Sequence, residues 1–169
     1  RGIRNSSIFG FQSATKVYSR MINVWLNQAI VISDSVSSGF LDIRNYLAFN
    51  TEETRVIAEN VMKNIVANNS EIDTLIIYDM QGKPILDTLN GIFLNSNYDI
   101  RARDSELWSK VTAGQTSMYY TAVVSPLDNE KFLIAIFSPV KNSVGNIIGA
   151  VCVMVDWHSF IDKELDLVK

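Results

Sequence analysis

Cysteine is nearly absent from this chain. A single thiol, Cys152, occurs among 169 residues, so no internal disulfide can form, and its apolar strand context marks it as a small core residue. Histidine is as scarce. His158 stands alone, and no Cys/His cluster is present to hold a metal or a haem. No run of 18 apolar residues occurs, which excludes a membrane-spanning helix from the sequence given. Positive charge is not in excess: 15 Lys and Arg face 18 Asp and Glu, for a net charge of −3 and a pI near 5.1. A general nucleic-acid surface is therefore disfavoured. Gly-x-Ser-x-Gly, the P-loop and Gly-x-Gly-x-x-Gly are missing, and nothing singles out a catalytic carboxylate pair. The sequence predicts no enzyme, no metal and no cofactor.

The residues that are present suit one globular domain. Hydrophobic residues make up 47% and charged residues 20%, which is ordinary for a packed core and excludes disorder. There is no internal repeat and no low-complexity tract. The chain opens on Arg1-Gly2-Ile3-Arg4 and closes on Leu167-Val168-Lys169, and we read it as a domain of a longer protein.

Residues 7–49 carry a helical stripe: Val17, Met21, Val24 and Ala29, widened by Tyr18, Ile22, Trp25 and Ile32. Gly39 is the expected weak point. A helix of about 30 to 40 residues there spans roughly 45 to 60 Å at about 1.5 Å per residue, more than the domain needs, so it must extend beyond it or pack on a partner. Asn50-Thr51-Glu52-Glu53 predicts a second helix, with Asn50 as N-cap and Ile57, Val61 and Ile65 on its buried face beside Ala58 and Met62.

The period then changes. Residues 74–79 and 85–87 predict two short strands around the Gly82 turn. Residues 88–101 have no clear period, as binding loops often do not. A short helix is expected over 104–112, strands near 117–125, 131–138 and 147–156, and a helix over 158–168. The expected architecture is α+β. A helical segment over residues 1–70 precedes a core over 71–169 with a five-stranded antiparallel sheet.

This order, and four phrases within it, resemble the Cache-type sensor domains, extracytoplasmic relatives of PAS domains. The phrases are Ile77-Tyr78-Asp79-x-x-Gly82-x-x-Ile85; Arg103 through Leu107-Trp108 to Ala113-Gly114; Ile136-Phe137-Ser138-Pro139-Val140; and Gly145-x-x-x-Gly149-Ala150-Val151 leading to Asp156. The resemblance implies a periplasmic sensor domain of a membrane-tethered methyl-accepting chemotaxis receptor, either the single-unit form or the membrane-distal unit of a two-unit sensor. It further implies a homodimer packed through the long helices and a small ligand, an amino acid first and a small carboxylate second. The alternative is the sensor domain of a histidine kinase or cyclic-dinucleotide enzyme that works through a periplasmic protein partner or through dimerisation. An intracellular haem or flavin PAS domain is a third reading, and the lack of an axial ligand counts against it.

The resemblance also points to site residues. Amino-acid-binding members carry a Tyr, Arg, Trp, Tyr cluster, and Tyr98 and Arg103 match the first spacing. The family places Arg and Trp two apart. Here Trp108 follows Arg103 by five, and aligning Leu107-Trp108 with the family's aromatic pair would put Ser105 at the Arg position. Arg103 offers a planar fork for a carboxylate or, read differently, pairs with Asp99, Asp104 or Glu106; Arg101 competes with it. Trp108 walls the pocket or packs in the core. Tyr119 and Tyr120 point to opposite faces of one strand, as do Phe137 and Ser138, so one of each pair faces the pocket. Tyr78 lines the pocket floor or packs in the core. Asp156 receives a ligand ammonium or caps the helix after it.

Overall fold

The computed structural model describes the backbone of residues 2–158 and the side chains of 20–119 and 122–158. Three helices come first: α1 (Gly2–Gly39), α2 (Leu41–Phe49) and α3 (Glu52–Asn68). The break expected at Gly39 falls there, with Phe40 extended at φ −121°. The next boundary differs from expectation. Asn50 is not the N-cap of α3; it closes α2 in the left-handed region at φ 49°, where its N–H bonds the Tyr46 carbonyl. Thr51 is the N-cap and forms a reciprocal capping box with Thr54. A short polar side chain tolerates the left-handed turn, and Asn50 serves there.

Strands β1 (Ile72–Tyr78), β2 (Pro84–Asp87), β3 (Ser117–Ser125), β4 (Asp128–Lys141) and β5 (Ile147–Asp156) form one sheet in the order β2-β1-β5-β4-β3, antiparallel throughout. Between β2 and β3 runs a cover in which the sequence predicts one element, the helix over 104–112. It holds a 3-10 turn (Ser96–Tyr98), α4 (Ile100–Arg103) and α5 (Ser105–Thr112). The expected terminal helix over 158–168 lies outside the described residues.

Alternation divides the sheet into two faces. Leu75, Ile77, Val151 and Val153 meet Ala58, Met62 and Ile65 of α3 and Ile43 and Tyr46 of α2. Ile76, Tyr78, Phe137, Ala150, Cys152 and Met154 face the cover, meeting Phe93, Ile100, Leu107, Trp108 and Val111. The expected faces of two helices shift accordingly. On α1, Trp25, Ala29, Ser33 and Val36 are buried, whereas Ile22 and Val24 are exposed. On α3, Ile57 is exposed and Ala58 takes its place in the core. Gly149 allows α2 to approach closely, because a Cβ there would lie 2.6 Å from the Tyr78 carbonyl oxygen and 2.7 Å from Leu47. Among the described residues no helix is long and apolar enough to cross a membrane.

Candidate functional site

The cover over the second sheet face is the structural feature that most needs explaining, because loops pack there as tightly as core. Carboxylates at turn positions hold it. Asp87, at the end of β2, is 1% exposed, and its two oxygens accept the backbone N–H groups of Leu89, Gly91 and Phe93 at 2.9, 2.7 and 2.8 Å. A buried carboxylate is tolerated when several donors converge on it. Asp79 does the same for the β1–β2 turn, accepting from Gln81 and Lys83. Asp99 and Asp104 cap α4 and α5. Gly82, at φ +79°, accepts the Ile100 N–H at 3.0 Å, and a Cβ on it would fall 2.7 Å from the Arg101 Cβ. The Asp79-x-x-Gly82 phrase therefore docks the cover onto the turn.

Under the cover stands an aromatic wall. Tyr78 meets Phe137 at 5.1 Å and Trp108 at 6.4 Å between ring centroids, and Phe93 meets Tyr98 at 4.7 Å. The Tyr78 hydroxyl donates to the Tyr98 carbonyl at 3.0 Å. Burial pushes the Tyr78 phenol above its ordinary pKa, Cys152 and Asp99 add to this, and the charge of Arg103 opposes it. Arg103 stands at the end of α4, whose Ile100 packs in the same cluster as Tyr78. It is exposed, and among the described residues it makes no ion pair with Asp99, Asp104 or Glu106.

The other sequence-derived candidates divide by position. Tyr98 and Trp108 belong to the wall. Arg101 sits against Gly82 and the turn. Tyr119 is half-buried at the rim, packed against the same cluster. The side chain of Tyr120 lies outside those described. Phe137 faces the cover and Ser138 does not: its hydroxyl lies 2.6 Å from that of Ser33 on α1, fully buried on the opposite face. Asp156 is also remote from the wall. Tyr78 pairs with Ala150, and Asp156 stands further down β5 by about 20 Å at about 3.3 Å per residue. There it accepts the His158 N–H at 3.1 Å and meets Lys131 at 3.5 Å, while Lys131 also meets Asp73 at 2.6 Å. Asp73, then Asp156, hold the Lys131 ammonium above its usual pKa.

The sequence reading missed Asp87, Asp73 and Lys131. For Asp87 a signal existed, since a carboxylate before Asn90-Gly91 suits a turn. Lys131 and Asp73 are far apart in sequence and met only once β1, β5 and β4 were in register.

No protein-family model matches the sequence, and no curated protein matches it. Solved structures do. The sensor domain of the V. cholerae histidine kinase DctB superposes with a TM-score of 0.67 at 18% identity, covering 88% of this chain and 55% of that one. The sensory domain of the Campylobacter jejuni chemoreceptor Tlp3, solved with isoleucine bound, gives 0.61 at 17% identity, covering 86% and 57%. The E. coli DcuS sensor domain gives 0.58 at 12% identity, covering 83% of this chain and 94% of that one. The chain spans about half the length of several structures it matches, 55% of the DctB domain and 57% of the Tlp3 domain. At these identities the likeness is one of fold, and this chain has the Cache/PAS-like fold of the sensor domains of chemoreceptors and histidine kinases.

Proposed function

We propose that this chain is the extracytoplasmic sensor domain of a transmembrane receptor and binds a small carboxylate-bearing ligand, an amino acid first, under the 88–116 cover. The observation that carries the reading is Arg103: a guanidinium without an ion-pair partner among the described residues, on the short helix α4 that packs over the Tyr78–Trp108–Phe137 wall through Ile100. A carboxylate would find a charge-assisted partner in Arg103, and the wall would take the apolar remainder. Entry requires α4 and α5 to lift from the rings, so binding would select between two positions of the cover. Strand β5 lies beneath the rings and would carry that shift toward Asp156 and the residues after it. Homodimerisation through α1 fits its exposed Val24 and Val31, one heptad apart. A chemotaxis receptor is the output we favour.

A second reading has its own support. The wall is closed by its own side chains, with Phe93, Trp108 and Phe137 at most 5% exposed. At the β3–β4 turn, Val124, Leu127 and Phe132 are exposed at 45, 67 and 46%. A histidine-kinase sensor that docks a periplasmic protein there needs no ligand. A thermal-shift screen against proteinogenic amino acids and small carboxylates separates the two. Ligand at 100 times Kd adds about 2.7 kcal/mol to stability, so a clear rise in Tm supports direct sensing. A flat panel favours docking.

A further inference from the structure

A cleft lies on the side of the sheet away from the aromatic wall, where the α1–α2 break meets the ends of β4 and α5. Its volume is about 670 Å³, within the range of small-molecule sites. Two cations line it, Arg44 from α2 and Lys141 from the end of β4, with Asn142 beside them. Among the described residues neither cation has a carboxylate partner. Arg44 is half-buried, which raises the value of a counter-charge. Asp34 is the one carboxylate on the wall, and hydroxyls already occupy it: Thr116 and Ser138 both donate to its Oδ1. Arg44 and Lys141 outnumber Asp34, so the lining of the cleft is net positive. The start of α2 agrees with this, because Phe40 supplies no side-chain cap for its free N–H groups, although Asp42 in the first turn offsets part of that field.

We propose that this cleft binds a small anion through a carboxylate or phosphate group held between Arg44 and Lys141. The site is separate from the Tyr78–Trp108 wall. Beside it, Asp34 of α1 receives the hydroxyls of Thr116 and of Ser138 on β4, and Ser33 of α1 meets Ser138 at 2.6 Å, so an occupant would clamp α1, α2 and β4 together.

The test is a ¹⁵N NMR titration of the 169-residue chain with sodium succinate, sodium citrate or sodium phosphate, against sodium chloride at matched ionic strength. The proposal expects saturable shifts at the amides of 40–44, 114–116 and 141–142 with at least one acid. Saturation by succinate or citrate alone identifies a carboxylate site, and by phosphate alone a phosphate site. The Arg44→Gln/Lys141→Gln double variant should bind at least tenfold more weakly with an unchanged Tm. If that variant does not fold, Lys141→Gln, an exposed change, should still weaken binding at least threefold. Shifts no different from those in chloride, shifts confined to 78 and 98–108, or unchanged affinity in the folded variant would each overturn it.

Discussion

Single side chains decide whether the cover stays closed. Asp87 accepts three backbone N–H groups from a buried position. Asp87→Ala leaves those donors without their acceptor and should cost about 2–4 kcal/mol, read from the urea midpoint. Asp87→Asn should cost less, since one amide oxygen still accepts. Tyr78→Phe keeps the stacking on Phe137 and loses only the bond to the Tyr98 carbonyl, so about 1 kcal/mol is expected. Cys152 is fully buried, and burial pushes its thiol well above the ordinary value. A thiol reagent at neutral pH should therefore leave it untouched until the domain unfolds; rapid labelling of the native protein would show that the cover-facing sheet opens locally. The sequence reading was weakest at this scale. Ser138 and Phe137 alternate on one strand, and only the pairing of β4 with α1 decides which faces the cover. For Asp156 the sequence offers a ligand ammonium or a helix cap, and its partner Lys131 is out of view because it sits on another strand.

At the level of elements, local patterns carried more. The strands of the 117–156 meander and the Gly82 turn were legible because period-two runs lie between turn residues. In the cover, α5 was legible as the helix over 104–112, but the 3-10 turn and α4 were not, because Asn95 and Asp99 caps and docking on Gly82 set them, not a repeating apolar stripe. Helix α3 offers two tests. Thr51→Ala removes its capping box and should cost about 1 kcal/mol. Arg55 pairs with Glu52 at 2.5 Å and Glu59 at 2.7 Å. Arg55 holds the Glu52 carboxyl below its ordinary value of 4.5, and Lys63, then Arg55, does so for Glu59. A lowered folded pKa stabilises above the unfolded value and loses that contribution as pH falls through the folded one. Melting temperature should therefore decline modestly below about pH 4.5, in keeping with exposed pairs. The slope should flatten in Arg55→Ala; an unchanged slope would assign the decline to other carboxylates.

For the molecule as a whole, the sheet separates two surfaces with different chemistry: an aromatic wall under a cover, and a helical layer whose α1 presents Val24 and Val31 outward. If α1 is the dimer seam, Val24→Glu with Val31→Glu should convert a dimer to a monomer in light scattering without altering the circular dichroism spectrum. An unchanged mass would place any dimer contact elsewhere. The central claim, that Arg103 anchors a carboxylate ligand against the Tyr78–Trp108 wall, is tested most directly by calorimetric titration. The strongest amino-acid or carboxylate hit is titrated into the native chain and into Arg103→Ala. The account predicts saturable binding to the native chain and at least a tenfold loss in the variant, about 1.4 kcal/mol. Equal affinity in a folded Arg103→Ala protein would contradict it.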